Sequence, residues 1–177
     1  MYLSVRKAMD GCAWPWLGMA SGVGTPNPGM SVWFFNLLGI LFQVRDPVDL
    51  CRAVAWTSTA SLGWLGLFIW YKIPTAARSP WWWALALVAV NPIAVVYSRK
   101  IWTVCVLSFF LVPFLWAYWD RAKKAGAFFW GFMGACLGQI HMPGFFFAFA
   151  FFLPALLNRA ERESIRWRHW LVGSVIG

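Results

Sequence analysis

Apolar and polar positions along this chain come in long blocks rather than in alternation. Residues 52–71, 81–97 and 101–119 are apolar runs separated by Lys72 to Arg78 and by Ser98-Arg99-Lys100. Each matches the roughly 20 residues a helix needs to cross about 30 Å of hydrocarbon. A fourth block, 126–157, makes about 48 Å as one straight helix, too long for a single crossing. Gln139-Ile140-His141-Met142-Pro143-Gly144 stands near its middle. Proline lacks the amide donor and clashes with the preceding turn, so the pattern predicts two helices, 126–140 and 144–157, joined by a polar turn. Residues 30–44 are apolar but reach only about 22 Å, which suits a helix lying at the membrane interface. Asp46-Pro47 then starts a new helix, with the aspartate as cap and proline in the first position. Asn91-Pro92 predicts a kink within the second span, its asparagine satisfying freed backbone groups. The expectation is an all-α membrane protein. It is a polytopic helical bundle fragment in which 1–50 form an external loop with a short interfacial helix and 51–177 the transmembrane region. An apolar run that begins at 169 and stops at 177 is expected to be the start of a further helix in a longer protein.

Composition strengthens the membrane reading. Hydrophobic residues make up 61% and charged residues 12% of the chain, against about 25% charged in soluble domains. The 15 Trp and 16 Phe exceed what a soluble core of this length can hide, whereas lipid and interfaces accommodate them. The net charge of +9 does not point to nucleic acid, because the cations sit in short clusters between apolar runs. Met1 to Gly29 has no continuous apolar stretch of the kind found in a signal peptide. Nine of the 15 Lys and Arg (Lys72, Arg78, Arg121, Lys123, Lys124, Arg159, Arg162, Arg166 and Arg168) fall in three loops on one side. The positive-inside rule makes that side cytoplasmic. The first 50 residues, Ser98-Arg99-Lys100 and the His141 turn then share the outer face.

The candidate chemistry lies on that face. Arg99 and Lys100 stand between two apolar runs, where cations facing lipid are costly and instead face a cavity, a partner or headgroups. The arginine fork suits phosphate oxygens and the lysine adds a point charge. Snorkelling to the headgroups accounts for the same spacing equally well. His141 either hydrogen-bonds within a helix break or serves a site as phosphate ligand or proton carrier. Gln139 beside it completes a polar, non-helical patch of the sort tolerated only against protein or water. Thr25-Pro26-Asn27-Pro28-Gly29 reads as a rigid turn into the interfacial helix. Asp10 could act as a base, but a solvated loop aspartate is the favoured reading. Cys105 and Cys136 read as core thiols, and Cys12 and Cys51 offer at most one disulfide pairing. No metal-binding spacing, carboxylate pair or nucleotide motif is present, and no cofactor is indicated.

Asn91-Pro92 followed by Tyr97-Ser98-Arg99-Lys100-Ile101-Trp102 resembles a signature of polyprenyl-phosphate-sugar-dependent glycosyltransferases of the GT-C type. These include the protein mannosyltransferase and lipid A aminoarabinose transferase families. Gly138-Gln139-Ile140-His141 with its Pro-Gly break is similar to a second segment of their bacterial members. Trp14-Pro15-Trp16-Leu17-Gly18 and Asn27-Pro28-Gly29 look like their first external loop. The resemblance implies a bacterial inner-membrane enzyme that moves a sugar from a polyprenyl-phosphate donor to an acceptor on the outer face. It implies a substrate-binding set of Arg99, Lys100, His141, Gln139 and Tyr97. The family's catalytic acid follows a first transmembrane helix, which would lie upstream of Met1. A transporter or lipid-flipping subunit with the same cationic groove, or a non-catalytic scaffold, are the alternatives.

Overall fold

The computed structural model describes residues 1–11, 14, 15, 17–20 and 26–177. Among them ten α-helices alternate with short breaks, and the chain divides into two compact units, Met1–Phe109 and Phe110–Gly177. Several breaks have a local cause in the sequence, and the breaks position the candidate site residues.

In the first unit, α1 (Tyr2–Met9) packs on α2 (Met30–Leu41). The two approach closely at Gly39, where a Cβ would collide with Val5. Ser4 Oγ donates to Oδ1 of the fully buried Asn36 at 3.3 Å. Between these helices β1 (Leu17–Ala20) pairs antiparallel with β2 (Pro26–Pro28). Neither α1 nor this strand pair is foreseen by the hydropathy blocks, so the chain is mostly helical rather than purely so. Helix α3 (Pro47–Lys72) has 26 residues, about 39 Å at 1.5 Å per residue. Asp46 caps it by accepting from the Asp49 amide at 2.9 Å, and Pro47 occupies the first turn, where no amide donor is needed. At its other end Arg78 Nη2 donates to the Trp70 carbonyl at 2.7 Å and Nε to the Ile73 carbonyl at 2.8 Å. A cation there satisfies carbonyls that the helix leaves open. Helices α4 (Arg78–Val90) and α5 (Pro92–Tyr97) contain no buried residue within the unit. Asn91 separates them: its Oδ1 accepts from the amides of Ile93 and Ala94. The expected kink is thus a full stop and a recapped restart.

Helix α6 (Leu107–Trp119) follows a 3₁₀ turn at Thr103–Val106 and runs across the division of the chain. In the second unit α7 (Lys124–Ile140) and α8 (Met142–Leu157) form the expected hairpin, broken at His141 in extended conformation. The Gly144 amide donates to the His141 carbonyl at 2.8 Å, and a Cβ at Gly144 would collide with the Leu137 carbonyl. A short α9 (Arg159–Ser164), capped by Asn158, leads to α10 (Trp167–Ile176). Helix α10 runs parallel to α7. Gly131 lies against Trp170 and Ser174, Gly173 against Phe128 and Phe132, and Gly177 against Phe132 and Ala135. Small residues let two helix backbones approach in this way. Phe114 packs edge-on to Phe147 and Phe151, and Phe152 stacks on Trp170 at 5.0 Å.

Five spans are expected from the sequence. Among the described residues one helix, α3, is long and apolar enough to cross a membrane alone. The blocks at 81–97 and 101–119 are each divided, at Asn91 and after Val106, and α7 and α8 have 17 and 16 residues.

Candidate functional site

Helix α3 carries the run Thr57-Ser58-Thr59-Ala60-Ser61 in its middle. Buried positions Leu50, Val54, Thr57, Ser61 and Phe68 recur at helical spacing and turn one face of α3 inward. Beside that face the short α5 ends, and the chain turns through Ser98-Arg99-Lys100 before the 3₁₀ turn at 103–106. These elements enclose a groove of about 420 Å³ within the first unit. Ser58, Thr59 and Ser61 of α3 and Ser108 of α6 line it, and Tyr97, Ser98 and Arg99 line it from the turn.

Its polar groups divide into two kinds. Arg99 is exposed and has no acidic partner among the described residues. Lys100 places Nζ 4.5 Å from the centre of the Tyr97 ring, and Tyr97 in turn packs against Trp102 with ring centres 6.0 Å apart. That cation–π contact ties the ammonium to Tyr97, a lining residue of the groove. The hydroxyls are spent differently. Thr59 Oγ1 donates to the Ala55 carbonyl at 2.9 Å, Ser61 Oγ to the Ser58 carbonyl at 2.7 Å and Ser98 Oγ to the Val95 carbonyl at 2.8 Å. Ser58 Oγ reaches the Cys105 carbonyl at 3.4 Å, and Ser61 Oγ lies 3.2 Å from Ser108 Oγ. With their hydrogens engaged, these oxygens keep lone pairs that can act as acceptors. The groove therefore joins cationic donors for an anion to acceptors for a hydroxylated group. Among the described residues no carboxylate or imidazole lines it.

Of the five residues expected in the site, Tyr97 and Arg99 line this groove and Lys100 borders it through Tyr97. Gln139 and His141 belong to the second unit. Gln139 Nε2 donates to the Gly177 carbonyl, so its amide fastens α7 to α10. His141 is half-buried at the head of α8. Asp10 closes α1, 3.8 Å from Arg6, and does not line the groove. Cys105 and Cys136 are buried as expected. Cys12, Trp16 and Thr25, on which the disulfide pairing, the Trp-Pro-Trp motif and the proline turn rest in part, lie outside the described residues. The hydroxyl run of α3 has no counterpart among the sequence candidates. Four hydroxyl-bearing residues in one turn and a half of an otherwise apolar span are the signal that could have found it. No protein-family model, curated protein or solved structure matches the chain.

Proposed function

We propose that this chain is part of a polytopic membrane glycosyltransferase of the bacterial inner membrane, which moves a sugar from a polyprenyl-phosphate donor to an acceptor on the outer face. The membrane reading is supported by what the helices expose. Trp56 is 64% and Trp70 58% exposed on α3, and Trp83, Leu87, Val90 and Ile93 are each 67–71% exposed on α4 and α5. A large apolar surface of this kind needs lipid or a partner to cover it. The observation that carries the transferase reading is the groove. Arg99 and Lys100 suit a phosphate, and the hydroxyl acceptors beside them suit the sugar attached to it. In that scheme the cations hold the donor phosphate and stabilise it as it leaves. The base that deprotonates the acceptor would come from outside the groove, whose described lining holds no carboxylate. A second reading is a subunit that passes an anionic lipid through the same cationic groove without chemistry.

The test is sugar transfer from the polyprenyl donor in membranes that contain the whole reading frame, normalised to protein level. Arg99→Ala should lower transfer about ten- to hundredfold, the equivalent of one charge-assisted hydrogen bond of about 1.5–3 kcal/mol. Arg99→Lys should restore part of it, because lysine keeps the charge but not the two-pronged geometry. Full activity of the lysine variant removes Arg99 from the site. Donor lipid that crosses the membrane while no sugar is transferred selects the second reading.

A further inference from the structure

The second unit gathers charge at one end. Loop 120–123, α9 and the first turns of α7 and α10 meet there. Arg166 Nε donates to the Ala122 carbonyl at 3.3 Å, and Trp167 Nε1 to the Arg162 carbonyl at 2.8 Å. Residues 120–125 and 158–169 hold seven Lys and Arg against three acids. All three acids are taken: Glu161 by Arg121 at 3.0 Å, Asp120 by Lys123 at 3.1 Å and Glu163 by Arg159 at 2.9 Å. Arg121 is also locked over the Tyr118 ring and against its carbonyl. Four cations remain, Lys124, Arg162, Arg166 and Arg168. All are exposed, and none has an acidic partner among the described residues.

Exposed apolar side chains flank this charged segment in the chain. Leu157, at the end of α8 just before α9, is 71% exposed, and Leu171, three residues after Arg168 on α10, is 58% exposed. A free anion has no use for that apolar border; an anionic amphiphile matches both halves. We propose that this end of the second unit is a binding site for anionic phospholipid, whose headgroup phosphate is held by Lys124, Arg162, Arg166 and Arg168 and whose chains lie against Leu157 and Leu171. Arginine supplies two-pronged contacts to phosphate oxygens, and each cation near an anionic surface adds attraction that salt screens. The proposal rests on the membrane placement but not on the transferase chemistry.

Its test uses the full chain purified in neutral detergent and titrated with phosphatidylglycerol, phosphatidylcholine or inorganic phosphate, the bound lipid being counted by native mass spectrometry. Phosphatidylglycerol should bind in preference to phosphatidylcholine, and about fivefold more weakly for each of the four cations replaced by glutamine. Arg159→Ala combined with Glu163→Ala removes an internal pair and should leave the preference unchanged. Should the fourfold variant fail to fold, Arg162→Gln with Arg168→Gln carries the same expectation at about 25-fold. Equal binding of the two lipids, or a preference that survives the glutamine variants, overturns the proposal. Displacement of the lipid by millimolar inorganic phosphate also overturns it, in favour of a free-anion site. A chain that stays in the aqueous fraction without detergent instead overturns the membrane placement.

Discussion

At Gly131 the backbone of α7 lies so near the Trp170 carbonyl and Ser174 that a Cβ would collide with the first and stand 2.7 Å from the hydroxyl of the second. Gly134, less than one turn further on, has room: its Cβ would meet Phe114 at 3.4 Å and Ala148 at 3.6 Å, ordinary contact distances. The same substitution should therefore have opposite signs at the two sites. Gly131→Ala forces α7 and α10 apart and should destabilise by about 1–3 kcal/mol. Gly134→Ala gains helix propensity and should stabilise by about 0.5–1 kcal/mol. Thermal unfolding of the purified protein in one detergent reads both. Two destabilised variants would mean that the space beside Gly134 is needed, and two neutral ones that α10 does not seat on α7 as described.

Among the elements, α5 depends most on one side chain. It has six residues, and Asn91 Oδ1 holds its first amides at 2.9 and 3.3 Å. Asn91→Ala should cost about 1 kcal/mol, whereas Asn91→Asp should retain most of the cap. Faster hydrogen exchange at residues 93–97, with α3 unchanged, is the expected result, and binding at the groove should weaken because α5 carries Tyr97 toward Arg99. Unchanged exchange in this segment would show that packing rather than the cap sets α5. Such local devices were legible in the sequence. Asp46-Pro47 starts α3, and Pro143-Gly144 breaks the long block at His141, because proline and a short polar side chain act on their own neighbours. The groove was only half legible. Arg99 and Tyr97 stand out as polar intruders between apolar runs. Ser58 and Ser61 acquire their place only through Cys105 and Ser108, 47 residues away in each case, and no periodicity encodes that. The contact of Gln139 is illegible for the same reason, since its partner Gly177 lies 38 residues on. Helix α1, too, is fixed by its contact with α2 and not by a hydrophobic block of its own.

On the membrane placement proposed above, the distribution of cations sets a direction. With the three loops richest in Lys and Arg inside, a cysteine placed at position 75 should react with a membrane-impermeant reagent only after the cell is opened. One placed at 99 should react from outside. Labelling of position 75 on intact cells reverses the orientation and removes the groove from the outer face. The parallel contact between α7 and α10 adds a constraint in time. Helix α8 and α9 intervene along the chain, so the glycine face of α7 emerges from the ribosome well before the helix that covers it. At about 5–20 residues per second the forty or so residues from Gly131 to Gly173 take roughly 2–8 s to synthesise. For those seconds the α7 face at Gly131 lacks the helix that covers it in the folded unit. On the proposed membrane placement, assembly of the second unit then includes a wait that ends when Gly173 arrives to cover the α7 face.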